Sequence, residues 1–303
     1  MVHDSHSEHV RKAISWLMLG VVGGLLLDLF AKELLQTYSL QQFILIRSLI
    51  AILLLLSIAP RFGGLQSLRT DEKAWHLLRT VLAIGAMFGF FYGLSQMPLV
   101  NALTLGYTAP LMMTALSALF LREPVGWRRW AAVSTGFVGT LIMLRPGSGA
   151  FSFAAFAVLV AAFCYACQAI TARRLSSTES TLSLSFYVVV GPLIISLGLL
   201  DGNSWMMPDR IGWILLFGAG VSSVLAWIGL VNGYRAASPA LLAPFEYTAL
   251  VGGAIAGYLI WDEKPDRWVV IGALIIVASG IFVVYRGRAP VSVDVSGDET
   301  RHL

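Results

Sequence analysis

Gly93…Tyr107-Thr108-Ala109…Glu123-Pro124-Val125-Gly126-Trp127 recurs as Gly233…Tyr247-Thr248-Ala249…Glu263-Lys264-Pro265-Asp266-Arg267-Trp268. The offset is 140 residues up to the glutamates and 141 after the inserted Lys264, so that Trp127 falls on Trp268 and Gly139 on Gly280. A period of that size in a chain of 303 residues means two homologous halves, placed at 13–145 and 152–286, with polar tails at 1–12 and 287–303.

Both halves are too apolar for water. Hydrophobic residues make up 57% of the chain, charged residues 13%, and the mean hydropathy is +0.77, whereas a soluble domain carries about a quarter charged residues. The length is therefore filled with membrane spans of about 20 residues each. Ten are predicted, over 13–32, 40–60, 74–95, 98–120, 128–145, 152–172, 181–200, 211–234, 239–260 and 268–285. Met97-Pro98 divides the third from the fourth within the uncharged run that follows Arg79, because proline opens a helix well at its first position. Positive charge fixes the orientation. With the N-terminus in the cytoplasm, the inner segments hold Arg11, Lys12, Arg61, Arg69, Lys73, Arg122, Arg128, Arg129, Arg173, Arg174, Arg235, Arg286 and Arg288. The outer ones hold Lys32, Arg145, Arg210, Lys264 and Arg267. Five spans per half is an odd number, so the halves insert upside down relative to each other. The expected fold is an all-α integral membrane protein of two inverted five-helix repeats with both termini cytoplasmic, an arrangement that places a substrate site between the halves.

Several functions are excluded by what the sequence lacks. No phosphate-binding Gly-x-x-x-x-Gly-Lys-Ser/Thr loop occurs, so ATP is not the direct energy source. The spans hold neither paired carboxylates nor a His-x-x-x-His pair, which argues against an enzyme. Cys164 and Cys167 stand alone in an apolar run and read as small lipid-compatible side chains, so no cofactor or metal is expected. The net charge of +4 suits anionic lipid headgroups, and no basic tract with interleaved aromatics points to nucleic acid.

The junctions Leu121-Arg122-Glu123-Pro124-Val125-Gly126-Trp127 and Trp261-Asp262-Glu263-Lys264-Pro265, the small-residue stretches Gly136-x-x-Gly139 and Ser279-Gly280, and Arg47 in Phe43-x-x-x-Arg47-x-x-x-Ala51 resemble the drug/metabolite transporter superfamily, EamA type. The likeness covers about residues 12–286. It implies ten helices and metabolite transport, and among ten-helix members the chain is similar to amino-acid exporters of the YddG kind. Other members move nucleotide sugars, riboflavin, S-adenosylmethionine or sugar phosphates. Small four-helix members couple export to a glutamate in the middle of their first helix. This chain has only Asp28 there, nearer the outer end, so that coupling is not carried over.

Polar side chains inside spans are costly in lipid and face the bundle interior. Asp28 and Arg47 read as a structural ion pair between the first two helices, and His76 and Arg79 as snorkelling towards headgroups. Glu246 follows Pro244 in a span. It is open to a transport role or to a salt bridge with Arg235 or Arg79. A substrate cavity is expected from Tyr92, Asn101, Tyr107, Tyr165, Gln168, Ser223, Trp227, Glu246 and Tyr247. Tyr107 and Tyr247 lead this set, because the repeat keeps tyrosine at both copies. Gly20, Gly24, Gly253 and Gly257 allow close helix approach, and Pro110, Pro192 and Pro244 are hinge positions.

The resulting expectation is a monomeric secondary transporter of the bacterial inner membrane that exports amino acids or similar small metabolites by alternating access. The alternative is an uptake or exchange carrier for a larger metabolite, nucleotide-like, a vitamin or S-adenosylmethionine.

Overall fold

The computed structural model describes residues 2–62, 64–120, 126–145, 152–175, 178–202, 205–236 and 245–286. Among these, regular structure is helical and no strand occurs. The helices are α1 (Val2–Leu34), α2 (Leu40–Ile58), α3 (Lys73–Gln96), α4 (Leu99–Gly106), α5 (Ala109–Phe120), α6 (Trp127–Leu144), α7 (Phe153–Leu175), α8 (Thr181–Leu199), α9 (Arg210–Ala236), α10 (Thr248–Trp261) and α11 (Arg267–Arg286). Seven segments are long and apolar enough to cross a membrane, α4 and α5 counting together as one, and α10 and α11 add two shorter apolar helices. Apolar side chains such as Leu53, Leu119, Phe156, Phe217 and Leu259 stand exposed on the outside. In a bilayer that belt meets lipid and needs no further partner.

Two expectations are corrected. Residues 2–12, read as a tail, continue α1. The fourth span is broken: α4 stops at Gly106 and α5 begins at Ala109. Pro110 is the cause, since a proline four residues on cannot donate to the Gly106 carbonyl and its ring crowds it. Pro110 thus ends up in the first turn of the new helix. Pro192, by contrast, sits inside an unbroken α8. Pro244 and the junction 121–125 lie outside the described residues.

Packing joins the two halves helix by helix. α1 lies on α9, α3 on α7, α2 on α8, α4 on α10 and α6 on α11. Small residues make the first two pairings close, and the repeat uses them twice. Gly89 and Gly93 of α3 lie against Ala157, Ala161 and Val158 of α7. Their repeat mates Gly229 and Gly233 of α9 lie against Trp16, Gly20 and Leu17 of α1. The α6–α11 pair is tight at the end away from the N-terminus (the far end). There a methyl on Gly272 would come within 2.7 Å of the Gly139 carbonyl. Towards the N-terminal end a surface groove of about 510 Å³ between the same two helices is lined by Trp127, Ala131, Thr135, Ser279 and Phe282.

Candidate functional site

The broken helices meet at the centre. In α10 the amide of Leu250 donates to Tyr247 O at 3.1 Å, a tight turn at the start of the helix. The Tyr107 hydroxyl, from the corresponding break in the first half, donates to the Glu246 carbonyl at 3.0 Å. The two repeat-mate rings, Tyr107 and Tyr247, lie 5.4 Å apart with planes tilted by 44°. Their hydroxyls diverge: that of Tyr247 is directed at Gly280, where no side chain would fit. Asp28, Glu246, Tyr165 and Tyr247 all lie within electrostatic reach of the Tyr107 hydroxyl.

An internal space adjoins this cluster. Tyr165 keeps 38% of its surface accessible. It projects from the side of α7 away from the exposed stripe of Phe156, Val160 and Phe163, about half a turn round the helix from Phe156. Gly24 stands likewise opposite the exposed face of α1 formed by Leu19, Val22 and Leu26, and nothing lies within 4 Å of where its side chain would be. Asp28 is one turn along α1 from Gly24. Arg47, only 2% exposed, lies beside Phe91 with its guanidinium carbon 5.7 Å from the ring centroid. Its Nη2 donates to Ser48 Oγ at 3.3 Å and to Met87 Sδ at 2.6 Å. Arg47 and Asp28 feel each other's charge, but among the described residues no direct ion pair within 4 Å joins them.

The other sequence-predicted residues are spread more widely. Tyr92 meets Phe153 edge-on at 5.8 Å, away from the tyrosine cluster. Asn101 sits in α4 with its Oδ1 buried and unpartnered. Ser223 donates to Gly220 O at 2.7 Å, and Trp227 packs against a cluster containing Leu55, Ala83, Leu182 and Val188. Gln168 is buried, and its carbonyl accepts from Arg79 Nη1 at 2.8 Å. Gly20 touches the α9 backbone, Gly253 faces Leu103, and Gly257 gives room to the Glu263 carboxylate.

Arg79 and His76 do not snorkel. They are 2% and 3% exposed. Arg79 reaches the carbonyls of Gln168 and Leu184, binding α3 to α7 and α8. His76 Nε2 lies 3.2 Å from Glu179 Oε2 in the α7–α8 connection. Burial pushes the Glu179 carboxyl up, but hydrogen bonds from Thr70 and Ser183 and the nearby His76 imidazole outweigh it and hold the group below its ordinary value. A carboxyl held low in the folded state adds stability above its unfolded value and loses it as pH falls through the lowered one. Glu179→Gln is therefore expected to melt below the parent at pH 7 in detergent, with the gap narrowing below about pH 4.5. A gap that stayed constant with pH would show that the carboxylate charge contributes nothing there.

Sequence reading missed one feature at the far end. Lys32, in the last turn of α1, lies 3.1 Å from Glu263 Oε1 and donates to Met97 O at 2.6 Å and Leu94 O at 3.3 Å. Glu263 Oε2 accepts from the amide of Leu99 at 2.7 Å, capping α4. The glutamate stood in the quoted junction, but nothing local in the sequence names its partner.

Paired broken helices, a seam of apposed halves and an internal aromatic space inside an apolar shell define a multi-pass membrane carrier. The EamA-like transporter family matches twice, over residues 11–145 and 152–285, and the chain belongs to that family. Similar proteins include a riboflavin transporter of Vibrio cholerae, 35% identical over 79% of this chain and 80% of that protein. An S-adenosylmethionine uptake transporter of Rickettsia bellii is 29% identical over 92% of this chain and 95% of its own. The pseudopaline exporter CntI of Pseudomonas aeruginosa is 26% identical over 84% and 89%. A crystal structure 18% identical superposes with a TM-score of 0.66, covering 91% of this chain and 99% of the other, and shows the fold alone. These relatives are named for riboflavin, S-adenosylmethionine and pseudopaline, so the likeness to amino-acid exporters of the YddG kind gives way to the wider family.

Proposed function

We propose that the chain is an uptake carrier for a metabolite with a flat heteroaromatic ring, of the riboflavin or S-adenosylmethionine class. The observation that carries this reading is the cluster of Tyr107, Tyr165 and Tyr247, with Tyr165 partly accessible on the inward side of α7 and Asp28 and Glu246 within electrostatic reach of Tyr107. Tyrosine faces offer a flat ring offset stacking, and their hydroxyls read its polar edge. The two carboxylates suit a cargo with a cationic or hydrogen-bond-donating tail. The riboflavin and S-adenosylmethionine carriers among the relatives support the same class.

The carrier is a ten-span protein of the bacterial inner membrane, with both termini cytoplasmic and the second half inverted. The reciprocal pairing supports this: first helix with third, second with second, fourth with fourth and fifth with fifth. Transport proceeds by alternating access, one monomer supplying both walls of the path. The export of amino acids or similar small metabolites is the second reading, and the pseudopaline exporter favours it.

Quenching of riboflavin fluorescence and a thermal shift with S-adenosylmethionine, both on protein in detergent, test the substrate class. Saturable binding of one of them is expected, weakened about tenfold by Tyr165→Ala through loss of stacking and buried ring area. Binding of neither, with saturable binding of an amino acid, would replace this reading by the second.

A further inference from the structure

We propose that Lys32 and Glu263 are the latch of a gate at the far end of the transport path, released and remade in each cycle. The assignment uses the carrier reading for the existence of a path and is independent of the cargo.

The latch joins three segments that periodicity does not connect. Asp262 ends α10 in the left-handed region at φ 51°, and the amide of Glu263 turns back to Gly257 O at 3.0 Å. This turn carries the Glu263 side chain back along its own helix, into space left by Gly257. One carboxylate oxygen there caps Leu99 at the start of α4, and the other meets Lys32 at the end of α1. Lys32 in turn closes the C-terminus of α3 through Met97 O. The negative group thus sits at a helix N-terminus and the positive group at a helix C-terminus, each where the backbone dipoles favour it.

Position and chemistry mark this as a gate rather than a brace. The side chains of Lys32 and Glu263 are 12% and 14% exposed, largely buried but still accessible at that end. Their ion pair and hydrogen bonds can be exchanged for bonds to water, so the net cost of releasing each hydrogen bond is modest. The permanent seams, α1 on α9 and α3 on α7, are apolar and backbone-close, and parting them would be costly. At the far end α6 and α11 touch at Gly139 and Gly272, and towards the N-terminal end a surface groove lies between them. At the repeat offset Glu263 falls on Glu123 and Lys32 on Ala172, so the sequence does not repeat the pair, and the assignment is made for Lys32 and Glu263 alone.

The test reads access to the internal space without any substrate. Cys164→Ala and Cys167→Ala remove the native thiols, and Gly24→Cys places one reporter where nothing lies within 4 Å. Reporter protein goes into vesicles whose sidedness is set by an N-terminal tag, and a membrane-impermeant maleimide is applied from each side. Glu263→Ala and Lys32→Met are expected to raise labelling from the far side about tenfold relative to labelling from the N-terminal side. Glu263→Gln should raise it less, because the amide oxygen still caps Leu99 and only the charge is gone. Lys32→Arg should stay near the parent rate. If Gly24→Cys does not fold, Tyr165→Cys reports on the same space. Unchanged far-side labelling in folded Glu263→Ala and Lys32→Met, or an equal rise from both sides, would overturn the latch. Because no substrate enters the assay, failure of the riboflavin or S-adenosylmethionine reading leaves this result intact.

Discussion

Gly229→Leu is expected to leave no folded protein. A side chain at Gly229 would point into the backbone of Gly20, and one at Gly20 would come within 2.6 Å of the amide nitrogen of Leu230. Backbone cannot rotate aside as a side chain can, so the substitution must part α1 from α9. Overpacking a core that can adjust costs about 1–3 kcal/mol. Separating two helices along a backbone-close seam removes far more contact, against a total stability of about 5–15 kcal/mol for a typical domain. Gly89→Leu should fail in the same way, since Gly89 meets Ala157 O of α7 as Gly229 meets Trp16 O of α1. Size-exclusion chromatography in detergent reads the outcome as loss of the monodisperse peak. A monodisperse Gly229→Leu protein with the parent melting temperature would mean that the α1–α9 seam is not as described.

Gly24→Leu is expected to do the opposite, folding normally and failing to transport. Gly24 lies one turn from Gly20 on the same helix, yet nothing is within 4 Å of its missing side chain. A leucine there meets no backbone, and its melting temperature should stay within about 4 °C of the parent, a shift of roughly 1 kcal/mol or less. It does fill the space that Tyr165 borders, so flux should fall at least about tenfold, with Gly24→Ala in between. Parent-like flux from a well-folded Gly24→Leu protein would place the path elsewhere. The pair of substitutions separates packing from transport on one helix, because both remove a glycine and only one of the two faces a neighbour.

The meeting of Tyr107 and Tyr247 was legible because the two are repetitions. Tyr107 and Tyr247 stand at one offset, and a bundle of two like halves brings such positions to its axis. The break at Tyr107 was less legible. Pro110 announced a kink, but proline acts on the carbonyl four residues earlier, so the helix stops at Gly106 and the turn falls on Tyr107. In the second half the break at Tyr247 has no proline in the matching place, because Leu250 stands there. Arg79 was misread because one buried arginine and one snorkelling arginine look alike in sequence. Only the approach of α7 and α8 supplies the carbonyls that make burial tolerable. The Lys32–Glu263 pair was invisible for the same reason, since partners from α1 and the α10–α11 junction meet only in the folded chain. The substrate class was the least legible part. Nothing in the spacing of the tyrosines or carboxylates names a cargo, and riboflavin and S-adenosylmethionine enter only through the names of relatives.

The most direct test of the carrier reading is uptake into liposomes holding the purified protein, with labelled riboflavin, S-adenosylmethionine and a panel of amino acids measured side by side. Saturable uptake of riboflavin or S-adenosylmethionine, lost in Gly24→Leu and absent from protein-free liposomes, is the predicted result. Amino-acid flux with no movement of either larger metabolite would contradict it.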